Sequence, residues 1–285
     1  MGEGTTWTSN YFGEEMTISI MQGRLLPPVD GALQAFPQGR WIEEFPLAKE
    51  LGIKAMEWVY DNYSNPLEKR ILIDQMVMLS QKAGVEVRSI CADFFVRFPL
   101  LRDSRQYYQD RVSSLHWLCL IAKYAGIKRI VVPFVDMNAI YTTDELVEIS
   151  TLMGKVGEYA MGCDIEIHLE TNLGAMDTCK LFNKTHSSNI FITYDTGNSA
   201  SMDRDPEEEW EAYGNLIGSI HIKDRIIGGP SVPFGTGAVK WDVIARLIKE
   251  YNYHGDFVLQ SARGKDGDEI EWTKKNIEFL RKIIE

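Results

Sequence analysis

The most constraining feature of the chain is a pattern that recurs four times, in which an amphipathic stretch ends at a glycine and an apolar, β-rich run follows. Glycine readily adopts the left-handed conformation that often ends a helix, so each copy predicts a helix followed closely by a strand. The spacing between copies suits one helix plus one strand. The copies are AKELGIKAMEW around Gly52, SQKAGVEVRSI around Gly84, AKYAGIKRIVV around Gly126 and GEYAMGCDIEI around Gly162.

Eight apolar runs predict eight strands with helices between them. Strands that alternate with helices through short turns pair in parallel, and eight such units close into a barrel without a free edge. The 285 residues suit a fold that typically needs about 250. The predicted strands lie near 16–21, 53–59, 85–91, 128–134, 164–170, 190–195, 217–222 and 256–260.

The predicted fold class is therefore α/β, a (β/α)8 TIM barrel. A doubly wound open sheet is the alternative, but the glycine-rich turn that it places after its first strand is absent. No linker divides the chain, so we expect one TIM-barrel domain over residues 16–285, preceded by an N-terminal tail over residues 1–15. Two helix starts are also readable: Thr142 with Glu145 suggests a capping box, and Asp205 precedes a first-turn proline.

Composition limits the partners and the compartment. The 30 basic and 41 acidic residues leave a formal net charge of -11, which repels a phosphate backbone and argues against nucleic acid. The four cysteines form no CxxC pair, so we expect free thiols rather than a zinc knuckle or a disulfide framework. Neither a membrane-spanning run nor a secretory signal is readable. We expect a cytoplasmic protein with no membrane partner.

Polar side chains end four of the predicted strands. Glu170 ends IEIHLE, Asp195 ends IFITYD, His221 ends the apolar part of GSIHI, and Gln260 ends DFVLQ. In a parallel barrel the carboxyl ends of all strands lie on one rim, where oxygen and imidazole ligands can converge on one divalent cation. The sequence therefore predicts a metal site on this rim.

Strand alternation also places His168 on the same inward face as Glu170. Polar groups inside a barrel are costly unless they line a site or are hydrogen-bonded to one another. His168 is therefore either a substrate contact or part of a polar plug in the barrel.

The motifs HLETN, YDTGN, HIKDR and VPFGTG, with the opening MQGRLLPPVDGALQAFPQGR, resemble the xylose isomerase-like sugar phosphate isomerase/epimerase family over residues 16–284. The resemblance implies a TIM barrel, a sugar or sugar phosphate as substrate, and a possible homodimer. It further implies one divalent metal ion, such as Mn, Mg, Co or Zn, held by a Glu, an Asp, a His and a second Glu. Glu170, Asp195 and His221 match the first three, and Gln260 stands where the second Glu is expected.

This departure bears on the reaction. In the family two glutamates act from opposite faces of the sugar, but Gln260 cannot accept a proton. The change favours an isomerase, in which Glu170 alone moves a proton through an enediolate, unless Glu57 or His168 supplies the second group. A metal-dependent keto-sugar dehydratase and a non-catalytic carbohydrate-binding barrel are the alternatives.

Further residues are expected to contact the substrate. Gln22 and Arg24 follow the first strand, and Glu57 and Trp58 end the second, where the tryptophan can stack on a sugar ring. Lys223, Arg225 and Arg263 form a basic corner suited to a phosphate. For Arg24, Glu57 and Arg263 a structural hydrogen bond or ion pair is an equal alternative. Two asparagines of the family motifs complete the set: Asn172 and Asn198.

Overall fold

A computed structural model of the chain describes residues 16–102, 104–264 and 267–284. The tail expected over residues 1–15 lies outside these ranges. In the described part, eight parallel strands close into a barrel in sequence order, each paired with its neighbours and the last with the first. The predicted (β/α)8 fold is confirmed. The strands are β1 Ile18–Met21, β2 Ala55–Val59, β3 Glu86–Cys91, β4 Arg129–Phe134, β5 Glu166–Thr171, β6 Ile190–Asp195, β7 Ile217–Ile222 and β8 Asp256–Leu259.

Helices connect the strands and cover the barrel, and their apolar faces pack against the strands because parallel sheets are buried on both sides. Short 3-10 turns lie at Val29–Gly31, Trp41–Glu43, Pro66–Glu68, Asp136–Asn138 and Gly214–Leu216. The α-helices are α1 Glu44–Glu50, α2 Arg70–Ala83, α3 Phe94–Arg97, α4 Arg105–Ala125, α5 Thr143–Cys163, α6 Ala175–Thr185, α7 Thr196–Ser201, α8 Pro206–Tyr213, α9 Trp241–Glu250 and α10 Glu269–Ile284.

Three of the four predicted glycine helix ends are confirmed. Gly52, Gly84 and Gly126 have φ values of 71°, 67° and 76°, in the region where a side chain is disfavoured. The prediction for Gly162 is wrong, because α5 continues to Cys163 and Asp164 takes the left-handed position at φ 62°. A short polar side chain such as that of Asp tolerates this conformation.

The predicted helix starts are confirmed. Thr142 and Glu145 form a reciprocal capping box at the start of α5. Asp205 caps α8, whose first residue is Pro206, and its side chain accepts a hydrogen bond from the Glu207 N–H. All four cysteines are free thiols. Among the described residues, no helix is both long enough and apolar enough to cross a bilayer.

The amino end of the barrel is closed by a buried ion cluster. Asp256 at the start of β8 contacts Arg129 of β4 at 2.8 Å through one oxygen and Arg88 of β3 at 2.9 Å through the other. Asp256 and Arg129 are only 3% and 4% exposed. The cluster thus links strands on opposite sides of the barrel and lies at the end remote from the predicted metal site.

Candidate metal centre and active site

Three of the four predicted metal ligands meet at the carboxyl ends of β5, β6 and β7. One ligand atom from each of Glu170, Asp195 and His221 lies within 4.8 Å of the others. The side chains belong to residues only 5%, 5% and 0% exposed. Asp195 and His221 are direct partners in the pairing of β6 with β7, so the barrel register places them at one height. Two carboxylates and an imidazole at this spacing fit a divalent cation.

The two carboxylates differ in their affinity for protons. Burial, together with the charge of Asp195, raises the pKa of Glu170 to about 7, although His221 and Lys223 oppose the shift. Burial also acts to raise the pKa of Asp195, but the charges of Lys223 and His221 hold it below its ordinary value. Neighbouring carboxyl groups whose pKa values are separated in this way are typical of acid–base sites.

A buried carboxylate orients the imidazole of His221. Glu57 of β2, which is 0% exposed, places Oε1 2.8 Å from Nε2 of His221. Its other oxygen accepts a hydrogen bond of 2.6 Å from Ser89 Oγ. The remaining imidazole nitrogen, Nδ1, lies 3.7 Å from Glu170 Oε2. A carboxylate behind a histidine is a common support for a metal ligand, because it fixes the ring and its proton.

The same contact sets the charge of the pair. Burial lowers the pKa of His221, but the charge and contact of Glu57, with the charges of Glu170 and Asp195, raise it to about 9. Burial acts to raise the pKa of Glu57, but His221 and Ser89 hold it below its ordinary value. Glu57 therefore acts on the imidazole, and the structure does not present it as the expected substrate contact.

Gln260 follows the last residue of β8, and of its side-chain polar atoms only the amide nitrogen has a hydrogen-bond partner among the described residues. It is 6% exposed, and its Nε2 donates a hydrogen bond of 2.8 Å to Gln34 Oε1. Its own Oε1 has no hydrogen-bond partner within the described residues. A buried oxygen without a partner costs about 1–3 kcal/mol. Such an oxygen is available to a hard cation, as the prediction of Gln260 as a fourth, uncharged ligand requires.

Lys223 pairs with one of the predicted ligands. Its Nζ lies 2.7 Å from Asp195 Oδ2, and the residue is 8% exposed. Gly197 makes room for this arrangement, because a Cβ on that residue would lie 2.7 Å from Lys223 Cγ. The lysine therefore balances the charge of Asp195. The YDTGN motif needs a glycine at this position because a larger residue would collide with the lysine side chain.

Asn198 and Arg225 support Glu170. Asn198 Nδ2 donates a hydrogen bond of 2.6 Å to Glu170 Oε1, and its oxygen accepts one of 2.8 Å from Arg225 Nη1. Arg225 also donates to the carbonyl of Gly229. Asn172 lies elsewhere: its amide makes two hydrogen bonds of 2.8 Å with the backbone of Ile140 and fixes the segment before α5. The structure brings Asn198 to the site but not Asn172.

The loop that carries VPFGTG is fixed by one carboxylate. Asp224, which is 0% exposed, accepts hydrogen bonds from the backbone N–H groups of Gly235, Gly237 and Val239. The indole of Trp241 at the start of α9 donates to it as well. The loop after β7 is thus held against the rim beside Arg225.

Trp58 and His168 lie away from the rim, contrary to the sequence-based expectation. Trp58 points to the opposite side of β2 from Glu57, where it packs on Phe36 and Trp41 and donates a hydrogen bond to Asn65. It is 0% exposed there, and these aromatic contacts place it in the packing outside β2.

His168 lies deeper in the barrel. Its Nδ1 is 2.9 Å from Ser219 Oγ and its Nε2 is 3.2 Å from Glu166 Oε2. Gly218 accommodates the ring, because a Cβ on that residue would lie 2.5 Å from His168 Cε1. His168 is therefore part of a hydrogen-bonded polar plug, the alternative to the expected substrate contact.

The remaining expected contacts fix the loop between β1 and α1. Gln22 accepts a hydrogen bond from the Val59 N–H. Arg24 donates to the carbonyls of Ser261 and Leu33 and to Gln34. Burial, aided by the charge of Arg263, lowers the pKa of Arg24 to about 9.

Arg263 is likewise engaged by backbone, since it donates to the carbonyls of Gly23, Leu26 and Leu33. Arg24 and Arg263 thus both make structural hydrogen bonds, which were the alternative to a substrate contact.

Sequence reasoning missed two residues of the site, Gln34 and Asp93. Gln34 Nε2 donates a hydrogen bond of 2.5 Å to Asp93 Oδ2. Asp93 lies two residues beyond the end of β3, whereas Glu170 and Asp195 lie within their strands, so the pattern of polar residues at strand ends does not include it. Gln34 lies in an irregular loop, where no periodic pattern marks it.

Comparison with known proteins agrees with the fold. A family model described as a xylose isomerase-like TIM barrel matches residues 45–283. The chain is 25% identical over 243 residues to the L-ribulose-5-phosphate 3-epimerase UlaE of Shigella flexneri, a match that covers 80% of this chain and 84% of the relative.

Two solved structures illustrate the likeness. The structure of an L-ribulose 3-epimerase has a TM-score of 0.76 and 16% identity and covers 94% of each chain. The IOLI protein with a binding zinc atom has a TM-score of 0.77 and 16% identity, covering 94% of this chain and 99% of that one. At such identities these structures establish a shared barrel.

Proposed function

Because the chain belongs to the xylose isomerase-like TIM-barrel family, we propose that it is a divalent-metal-dependent epimerase of a ketose or ketose phosphate. The observation that carries the proposal is the buried cluster of Glu170, Asp195 and His221, whose ligand atoms lie within 4.8 Å of one another. The UlaE relative is named as a 3-epimerase of a ketose phosphate, which favours inversion at the carbon next to the ketone over the isomerisation that Gln260 suggests.

Glu170, Asp195, His221 and Gln260 are the residues that would hold the cation. When bound, a divalent cation acts as a Lewis acid that polarises the substrate carbonyl. Glu57 keeps the imidazole of His221 in place, and Lys223 balances the charge of Asp195.

Glu170 is the proposed base. Without a cation the pKa of Glu170 is raised to about 7; a bound cation would favour the ionised form, which is the form that accepts a proton. Asn198 holds one oxygen of Glu170, which limits rotation of the carboxylate. The carboxylate removes the proton from the carbon beside the carbonyl and leaves an enediolate.

The substrate class can be tested with two probes. The protein is loaded with Mn²⁺ and incubated in heavy water with L-ribulose 5-phosphate or with L-ribulose, and the sugars are followed by NMR. We expect deuterium at C3 together with the C3 epimer. Exchange with loss of water would instead establish a dehydratase, and absence of both metal binding and exchange would establish a non-catalytic barrel.

Variants on β5 assign the base. Glu170→Gln should lower exchange by about 10²–10⁴-fold, the usual contribution of a general base. Glu166→Gln is the matched control, since that carboxylate lies at the other end of the same strand. Equal exchange rates in the two variants would remove Glu170 from the role of base.

A further inference from the structure

The site lacks a carboxylate at position 260 but has one close by. Gln34 connects the two places: its Oε1 accepts a hydrogen bond of 2.8 Å from Gln260 Nε2, and its Nε2 donates one of 2.5 Å to Asp93 Oδ2. A single amide group therefore separates the carboxylate of Asp93 from the side chain of Gln260. Both residues follow strand ends on the same rim, after β3 and β8.

The connection is held from several directions. Arg24 donates a hydrogen bond of 3.2 Å to the same oxygen of Gln34 and another of 3.2 Å to the carbonyl of Ser261, next to Gln260. Cys91 Sγ donates to Asp93 Oδ1 at 3.2 Å. These contacts fix the carboxylate in one orientation, as expected for a group that must meet a substrate at a defined angle.

The surroundings of Asp93 raise its pKa above the ordinary value for an aspartate. Burial raises its pKa, and the charges of Asp61 and Glu57 add to the shift, although the hydrogen bonds from Gln34 and Cys91 oppose it. The charge of Asp93 also contributes to the raised pKa of Glu170. The two carboxyl groups therefore lie close enough for the charge of one to affect the other.

Other candidates for a second acid–base group either contact the predicted metal ligand His221 or lie below the rim. Glu57 is held by His221 and Ser89, and His168 lies below the site between Ser219 and Glu166. Burial raises the pKa of Cys91 far above its ordinary value, so its thiol stays protonated and donates a hydrogen bond to Asp93.

We propose that Asp93 is the second proton-transfer residue, which supplies from the end of β3 the carboxyl group that Gln260 cannot provide. This inference rests on the proposed epimerase function and specifies how the stereocentre is inverted. Inversion at carbon requires that the proton leaves from one face and returns to the other, so two acid–base groups are needed.

The proposed step balances as follows in one direction. Glu170 takes the proton from C3, the C–H electron pair becomes the carbon–carbon double bond of the enediolate, and the carbonyl pair moves to oxygen. Protonated Asp93 then gives its proton to C3 from the opposite face as the carbonyl re-forms. Glu170 ends protonated and Asp93 ionised, and exchange with water restores both.

The test separates exchange from inversion. In Mn²⁺-loaded Asp93→Asn, L-ribulose 5-phosphate in heavy water should still gain deuterium at C3 through Glu170, while formation of the epimer falls by about 10²-fold or more. Asp136→Asn is the matched control, because Asp136 is an exposed acid beyond β4, and it should retain both activities. If Asp93→Asn does not fold, Asp93→Ser makes the same distinction.

A double variant tests the substitution of one carboxylate for the other. Adding Gln260→Glu to Asp93→Asn should raise the rate of epimer formation at least tenfold above that of Asp93→Asn alone. Inversion at the wild-type rate in Asp93→Asn overturns the inference. So does equal loss of exchange and inversion with unchanged metal content, which would mark a structural role. No exchange by the wild-type protein would instead overturn the proposed epimerase function itself.

Discussion

At the residue scale, the contact between Glu57 and His221 fixes the orientation of the imidazole at the site. The two groups are both 0% exposed and lie 2.8 Å apart. Because Glu57 occupies Nε2, the nitrogen left toward Glu170 and Asp195 is Nδ1. An imidazole whose rotation is fixed loses less freedom when it binds an ion, so we expect the pair to strengthen metal binding.

Glu57→Gln should therefore weaken Mn²⁺ binding by about 10–100-fold, the usual effect of removing a carboxylate behind a ligating histidine. The measurement is calorimetric titration at constant pH. Glu86→Gln is the control, because Glu86 lies at the exposed end of β3 in an ion pair with Arg88. The same affinity in both variants would show that the ring of His221 is fixed without Glu57.

Single residues also mark the limit of sequence-based prediction. Strand periodicity correctly brought Glu170, Asp195 and His221 together, because the end of a parallel strand has a known place in a barrel. It does not reveal partners that are distant in the chain, such as Glu57 behind His221. Trp58 was misassigned for a different reason, since adjacent residues of a strand face opposite sides and Glu57 already takes the inner one.

At the scale of elements, α1 is joined to the loop after β1 by one buried carboxyl group. Glu44, the first residue of α1, is 0% exposed, and its Oε1 accepts a hydrogen bond of 2.7 Å from the Gly23 N–H. Gly23 has a φ of 84°, so the turn needs a glycine there. Burial raises the pKa of Glu44 to about 8, against the hydrogen bond from Gly23.

This raised pKa predicts a pH-dependent stability. Between the ordinary pKa of 4.5 and about 8, the unfolded chain has lost the proton of Glu44 while the folded chain keeps it. The free energy of unfolding should therefore fall as pH rises from 5 to 8, by an amount on the order of a few kcal/mol. Glu44→Gln removes this contribution and keeps an acceptor for Gly23.

Urea unfolding of the wild-type protein and Glu44→Gln at pH 5, 6.5 and 8 measures the effect. The difference in unfolding free energy between the two proteins should change with pH in favour of the variant. A difference that is constant over this range would mean that Glu44 does not titrate within it.

The elements themselves were largely predictable, since glycine helix ends and apolar runs located all eight strands. The exception at α5 has a local cause. Gly162 can continue a helix at a modest cost, and Asp164 accepts the left-handed conformation two residues later. A glycine therefore marks the neighbourhood of a helix end without fixing the residue at which it falls.

At the scale of the whole molecule, the two ends of the barrel have different tasks. The carboxyl end carries the ligand cluster, and the amino end carries the ion cluster of Asp256, Arg129 and Arg88. The first places acids next to one another at a cost in stability, whereas the second pairs opposite charges across the strands.

Asp256→Asn should destabilise the protein by about 3–5 kcal/mol, because it removes the buried negative charge that contacts the guanidinium groups of Arg129 and Arg88. Metal affinity should be unchanged, since the cluster lies at the other end of the barrel. Chemical unfolding and metal titration of the variant test both statements.

Asp164→Asn provides the comparison, because it breaks the exposed ion pair with Lys128 and should leave stability unaltered. A loss of Mn²⁺ affinity in Asp256→Asn, relative to this control, would contradict the separation of the two ends.

The amide bridge through Gln34 also bears on how this barrel can evolve. Codons for glutamine and glutamate differ in one base, so a single point mutation would return an acid to position 260. That acid would be separated from Asp93 only by the amide of Gln34. Repulsion between the two carboxylates would then destabilise a protein that carried both. Positions 93 and 260 should therefore show epistasis, with an acid tolerated at either position but not at both. A mutation to glutamate at position 260 is then tolerated only after residue 93 has lost its carboxylate.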